Sequence, residues 1–179
     1  MVYGRFNPVH LGHAGIFGYG LTMKNSIPNS DLKIFVSTTT DKEDNPLPYS
    51  LKIEMIKDYF PAFSDYIQIE QGSTLFGTLE MLDPKYDDLI LLCGSDRVVH
   101  FDSVLKKYNG TLYNFDKIEV MNMGYRATSP YSSTVMRDAV RANDFDTFCS
   151  CLPPGEHDMN KKYFDYIAAC MGIYHDIQN

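Results

Sequence analysis

Residues 88–93 read DLILLC and run straight into Gly94-Ser95-Asp96-Arg97. After Asp88, apolar residues follow without a break. A strand with one wet face alternates polar and apolar positions. An unbroken run fits a strand buried on both faces, as in a parallel sheet covered by helices. The glycine supplies a turn, and residues 97–108 then carry a helix-like pattern ending at Asn109-Gly110.

Outward from that strand the same order recurs. Toward the carboxyl end, residues 117–121 (KIEVM) form a strand and residues 132–141 a helix with a serine start. After Pro153-Pro154-Gly155, an apolar face of Tyr163, Phe164, Ile167 and Met171 marks a last helix. Toward the amino end, residues 32–37 (LKIFVS) are β-rich. Residues 50–60 have apolar positions near a helical period and stop at Pro61. Residues 66–69 make a short strand. Ser73 can cap a helix that runs to Leu82, which Pro84 ends. Strands alternating with helices predict an α/β fold: a Rossmann-like, doubly wound parallel sheet of about five strands, with helices on both faces and a C-terminal helix. There is no internal repeat and no dividing linker. Residues 1–179 therefore read as one domain, with 151–179 a helical extension of it. Ligands of such sheets bind past the carboxyl ends of the strands, at the switch point.

The bulk composition narrows the function classes. The 179 residues are 44% hydrophobic and 22% charged, with 13 Tyr, 11 Phe and no Trp, as expected of a soluble globular chain. The net charge of −7 excludes a general nucleic-acid binder, whose partner demands a basic face. Positive charge in a pocket must be placed locally. No apolar run approaches the ~20 residues of a membrane helix, and residues 1–15 lack the long apolar centre of a signal peptide. Cys93, Cys149, Cys151 and Cys170 form no Cys-x-x-Cys pair and read as reduced thiols of a cytoplasmic protein.

The densest chemistry lies in residues 4–13, GRFNPVHLGH. Only Met1, Val2 and Tyr3 precede it, so the first strand is very short; either a few residues are missing from the start or the fold makes do with little. Gly12, Gly15, Gly18 and Gly20 fall in the first helix, each costing about 1 kcal/mol against alanine. That helix is either held by close packing against a neighbour or a ligand, or short and frayed.

Three readings compete for the segment. A metal site could use His10 and His13, but it needs further ligands, and His100, His157 and His175 are scattered without a pattern. A packed core turn explains one histidine better than two. A phosphate cradle uses every feature: Gly4 allows close backbone approach, Pro8 fixes the turn, and Gly12 removes bulk where a helix begins. Outward N–H groups and the positive end of the helix dipole then suit an anion. A second stretch, residues 131–137 (YSSTVMR), has matching physics. Ser132 is a good N-cap, and the first-turn amides of Ser133 and Thr134 have no partner within the helix. Arg137 shares their face and can reach the same anion.

Together these stretches resemble the His-x-Gly-His and Ile-Ser-Ser-Thr-x-x-Arg signatures of the nucleotidyltransferase superfamily. Gly94-Ser95-Asp96-Arg97 looks like its Gly-x-Asp nucleotide turn, though a plain strand-to-helix turn reads as well. Asn45-Pro46-Leu47 resembles the Asn-Pro-Phe of nicotinamide-type adenylyltransferases, with Lys52 where they carry arginine. The spacing through residues 152–173 is similar to small phage-encoded members. What the resemblance implies is transfer of AMP from ATP to a phosphate-bearing acceptor, with release of pyrophosphate and with Mg2+ on the phosphates. His10, His13 and backbone near Phe6 would hold the α-phosphate. Arg5, Ser132, Ser133, Thr134 and Arg137 would hold the β- and γ-phosphates. Gly4, Asn7, Gly12, Gly94 and Asp96 would shape the nucleotide site. Arg5 and Asn7-Pro8 look nearest to nicotinamide-mononucleotide adenylyltransferases, making NAD, with Phe76 or Tyr125 available to stack on a pyridine ring. The alternatives are a cytidylyltransferase, a pantetheine-phosphate adenylyltransferase, or a silent nucleotide-binding module. Neither nucleic acid nor membrane is an expected partner, and family members often form homo-oligomers.

Overall fold

A computed structural model describes residues 1–69, 74–95, 97–123 and 130–174. The predicted alternation is present: β1 (Val2–Gly4), α1 (Leu11–Ser26), β2 (Ile34–Val36), α2 (Tyr49–Tyr59), β3 (Ile67–Gln68), α3 (Leu75–Leu82), β4 (Asp88–Cys93), α4 (Val98–Tyr108), β5 (Lys117–Asn122), α5 (Ser133–Arg141), α6 (Phe145–Ser150) and α7 (His157–Met171). The five strands are all parallel, in the order β3-β2-β1-β4-β5. This is the doubly wound, Rossmann-like arrangement. The first three strands step one way from β1, and the chain then returns to lay β4 and β5 on its other side.

Period-2 alternation explains why the strands read as continuous apolar runs. Ile34, Val36 and Leu92 enter one core cluster with Phe17 of α1, Ile56 of α2, Val140 of α5, Phe148 of α6 and Ile167 of α7. Phe35, Leu89, Leu91 and Cys93 enter the other, with Leu79 of α3 and Phe101 and Leu105 of α4. Both faces of the sheet are dry, as the run in residues 88–93 requires.

Helix α1 is neither short nor frayed; it spans 16 residues. Close packing holds it. A Cβ on Gly20 would lie 2.8 Å from Leu32 Cδ1 and 3.2 Å from Leu92 Cδ1, so the helix rests close against these side chains and a larger residue would displace them. Gly18 has open space instead, and packing gives it no reason to be glycine. Two local expectations need correction. The α3 cap is Thr74, whose side chain accepts from Gly77 N–H, while Ser73 lies outside the described residues. The α6 helix is an addition, capped by Asp144 through the Thr147 amide.

The first strand is short, and that shapes the molecule. It registers with β2 over three residues, Val2 to Gly4, but with β4 only at Val2 and Leu92. Past that point β1 and β4 part, and a cleft of about 340 Å³ opens at their carboxyl ends. Among the described residues no helix is long and apolar enough to cross a membrane.

Candidate active site

The chain leaves β1 through a strained turn. Phe6 has φ of 44°, a backbone region bulky residues rarely adopt, and the Asn7–Pro8 peptide is cis. The Phe6 ring folds back over Gly4, where a Cβ would lie 2.6 Å from the ring. The glycine is therefore needed for this ring, beyond the ligand approach expected of it. The ring is buried and meets His13 edge-on at 4.9 Å and Phe17 at 5.4 Å.

His10 and His13 brace each other at the start of α1. His10 is the N-cap: its Nδ1 accepts from Gly12 N–H at 3.1 Å, and its own N–H donates to His13 Nδ1 at 3.3 Å. An Nδ1 that accepts leaves Nε2 as the proton-bearing nitrogen of each ring. The rings lie 3.8 Å apart, centroid to centroid. His13 lines the cleft, whereas His10 is buried behind it and is absent from the lining. Gly12 also stays out of the lining and serves the cap.

Helix α5 brings the second motif to the first. Ser132 caps it through the Val135 amide at 3.0 Å, as its sequence position predicts. Ser133 Oγ donates to the Pro8 carbonyl at 2.8 Å. Arg137 Nη1 donates to the Asn7 carbonyl at 2.8 Å, and Nη2 reaches Asp44 Oδ1 at 3.0 Å and Thr134 Oγ1 at 3.3 Å. Burial lowers the Arg137 pKa, opposed by the Asp44 carboxylate. Asn7 acts as a hub: its buried side chain accepts from Leu47 N–H at 2.9 Å while its carbonyl holds Arg137.

Ser132, Ser133, Thr134 and Arg137 thus share one cleft with Gly4, Arg5, Phe6, Asn7, His13 and Gly94. Asp96 lies outside the described residues, as does Tyr125. Phe76 is not at the cleft; it packs edge-on against Tyr108 at 5.3 Å. Sequence reasoning missed Asp44 and Tyr131, which also line the site. Among the described residues, the charged ones that line the cleft are Arg5, Arg97 and Arg137, with Asp44 as the one acidic side chain. An acidic chain has concentrated positive charge where an anion would sit. Lys52 is fully buried just behind, its ammonium donating to the carbonyls of Ser37 at 2.9 Å and Thr39 at 2.7 Å. Burial, then the nearby Arg5, push its pKa down to about 8, with Asp41 opposing. It fastens the loop after β2.

A family model described as Cytidylyltransferase-like matches residues 1–139. The chain belongs to the cytidylyltransferase-like family. Membership of this nucleotidyltransferase superfamily indicates nucleotidyltransferase activity. The cytidylyltransferase-like match takes in both motifs and stops two positions beyond Arg137; α6 and α7 follow it. Comparison with curated proteins returns no match.

Proposed function

We propose that the chain transfers the AMP part of ATP to nicotinamide mononucleotide, giving NAD and pyrophosphate. The observation that carries the reading is the pair of bonds from α5 to the first motif, Ser133 to Pro8 and Arg137 to Asn7. They set the start of α5 in one cleft with His13 and three arginines, where it would bind an anion.

In this reaction an acceptor phosphate oxygen attacks the α-phosphorus and pyrophosphate departs. The attacking group is already ionised at neutral pH, so the protein needs no general base. It contributes alignment and positive charge. The His13 Nε2–H would donate to an α-phosphate oxygen. The first-turn amides of Ser133 and Thr134, with Arg137 and Arg5, would take the departing phosphates. His10 would act through His13, by fixing its tautomer. Gly94, which follows β4, lines the same cleft and would face the nucleotide.

Mg2+ would travel on the triphosphate. The described residues hold no group of three or more His, Cys, Asp or Glu side chains placed to bind a metal ion, and Asp44 is the one carboxylate among the lining residues. The ion's ligands would then be phosphate oxygens and water.

Arg5 and the Asn7-Pro8 pair support the nicotinamide acceptor; the reaction class stands independently of it. Incubation with ATP or CTP and each candidate acceptor, with pyrophosphate as the readout, separates the readings. NAD formed from ATP and nicotinamide mononucleotide is the expected result. Turnover only with CTP and a phosphorylated polyol, or only with phosphopantetheine, would replace the acceptor assignment. ATP binding with no pyrophosphate from any acceptor would make the chain a silent nucleotide-binding module.

A further inference from the structure

One part of the cleft has no role in that reading: the loop between β2 and α2. Asp41 Oδ1 accepts from the backbone N–H groups of Glu43 at 3.0 Å, Asp44 at 2.7 Å and Asn45 at 3.0 Å. Asp41 N–H closes the ring on the Asn45 carbonyl at 2.9 Å. These bonds, the Asn45 side chain foremost, hold the Asp41 carboxyl down at about 2, so it stays ionised and the loop keeps its shape. The ring carries Asp44 onto α5.

There the carboxylate meets Arg137 at 3.0 Å, beside Thr134 Oγ1. Arg141 Nη2 fastens the same loop by donating to the Glu43 carbonyl at 2.9 Å. The pair is lopsided: the Arg137 side chain is 7% exposed and that of Asp44 is 71% exposed. A buried guanidinium without a counter-charge is costly. Its Nε has no hydrogen-bond partner among the described residues, and Asp44 supplies the only anion it touches there.

We propose that Asp44 is a placeholder for the nucleotide's phosphates. Its carboxylate neutralises Arg137 in the ligand-free protein and yields that position to a phosphate of the incoming triphosphate, or of pyrophosphate. The proposal rests on the nucleotide-binding reading of this cleft. A polyphosphate carries more charge than a carboxylate. It also gains the first-turn amides of α5, which face outward from the helix. Asp44 is mostly hydrated, so releasing it costs little. The price of the arrangement is affinity: each anion must first displace an internal one, which lowers apparent binding and favours departure of pyrophosphate.

Calorimetry of the full chain with inorganic pyrophosphate and with ATP, each with and without Mg2+, tests this in the parent, Asp44→Asn and Asp44→Ala. Both variants are expected to bind each probe about five-fold more tightly, the scale of a half-exposed ion pair. Arg141→Ala, which frees the loop but keeps the carboxylate, should tighten binding by a smaller factor. Asp158→Asn, exposed on α7, controls for net charge and should leave binding unchanged. Equal or weaker binding by the Asp44 variants overturns the proposal. Weakening confined to Mg2+-containing buffer would make Asp44 a metal ligand instead. If the parent binds neither probe, the nucleotide reading and this one fall together. If it binds and the variants bind no tighter, this one falls alone.

Discussion

His13 is the side chain whose surroundings are most fully prepared for chemistry. The His10 amide occupies Nδ1, and the Phe6 ring stands edge-on to the imidazole. The imidazole so held lies on the cleft wall. Removing such a preorganised donor commonly costs about 10²–10³ in kcat. His13→Ala should therefore retain its far-ultraviolet circular dichroism yet lose turnover on that scale, measured as pyrophosphate release. A rate within a few-fold of the parent would remove His13 from the mechanism. Lys52 yields a prediction of another kind. Its folded pKa of about 8 lies below the ordinary 10.5, so between those values the unfolded chain holds a proton that the folded one has released. Stability contributed at this site therefore rises with pH across that window, and the burial penalty is complete below it. The difference in unfolding free energy between parent and Lys52→Met should shift in favour of the parent from pH 8 upward. A flat difference in denaturant titrations would contradict the buried ammonium. At this scale the sequence was informative where a residue acts through its own neighbours. The Ser132 cap and the Arg137 face follow from local spacing. Asp44 did not stand out, because its partner is 93 positions away and nothing in D-K-E-D-N points across the fold.

Among the elements, α1 shows how one residue type can serve opposite ends. A Cβ on Gly20 would press on the Leu32 and Leu92 side chains, and one on Gly18 would meet nothing within 4 Å. Gly18→Ala should stabilise the protein by up to about 1 kcal/mol through helix propensity. Gly20→Val should destabilise it by about 1–3 kcal/mol, because Leu32 and Leu92 must move. Thermal unfolding of the two variants reads the contrast directly. Equal shifts would mean that α1 is not seated as described. The strands were legible because both faces are buried and the runs are continuous. Helices α2, α4, α5 and α7 were legible from their periodicity. The six residues of α6 are too few to display a period; only the Asp144-x-x-Thr147 cap announces it. The α3 start differs from the expectation by one residue because Ser73 and Thr74 are both cap residues in sequence, and Thr74 bonds to the helix.

In the whole molecule, the cleft is made by separation and closed by return. Strands β1 and β4 part after one paired position, and α5 comes back to bridge the loop leaving β1. The topology was readable from the order of elements; the parting was not, since it depends on how few residues β1 contributes. We propose that the chain behaves as one unit. Tyr163, Phe164 and Ile167 of α7 are buried in the cluster that also holds Phe17 of α1 and Met136 of α5. The Leu11 amide donates to the Cys151 carbonyl at 3.0 Å, so the start of α1 is tied to the segment after α6. A chain ended after Ser150 should lose cooperative thermal unfolding, although the family match lies wholly within it. A sharp transition near that of the parent would show α7 to be dispensable. The contact between Arg137 and Asn7 spans 130 positions, and that distance has a bearing on synthesis. On the proposed reading, a nascent polypeptide emerging from the ribosome would carry His10 and His13 early but stay unable to grip a nucleotide until α5 has followed, so an interrupted translation product would be inert and would not consume triphosphate.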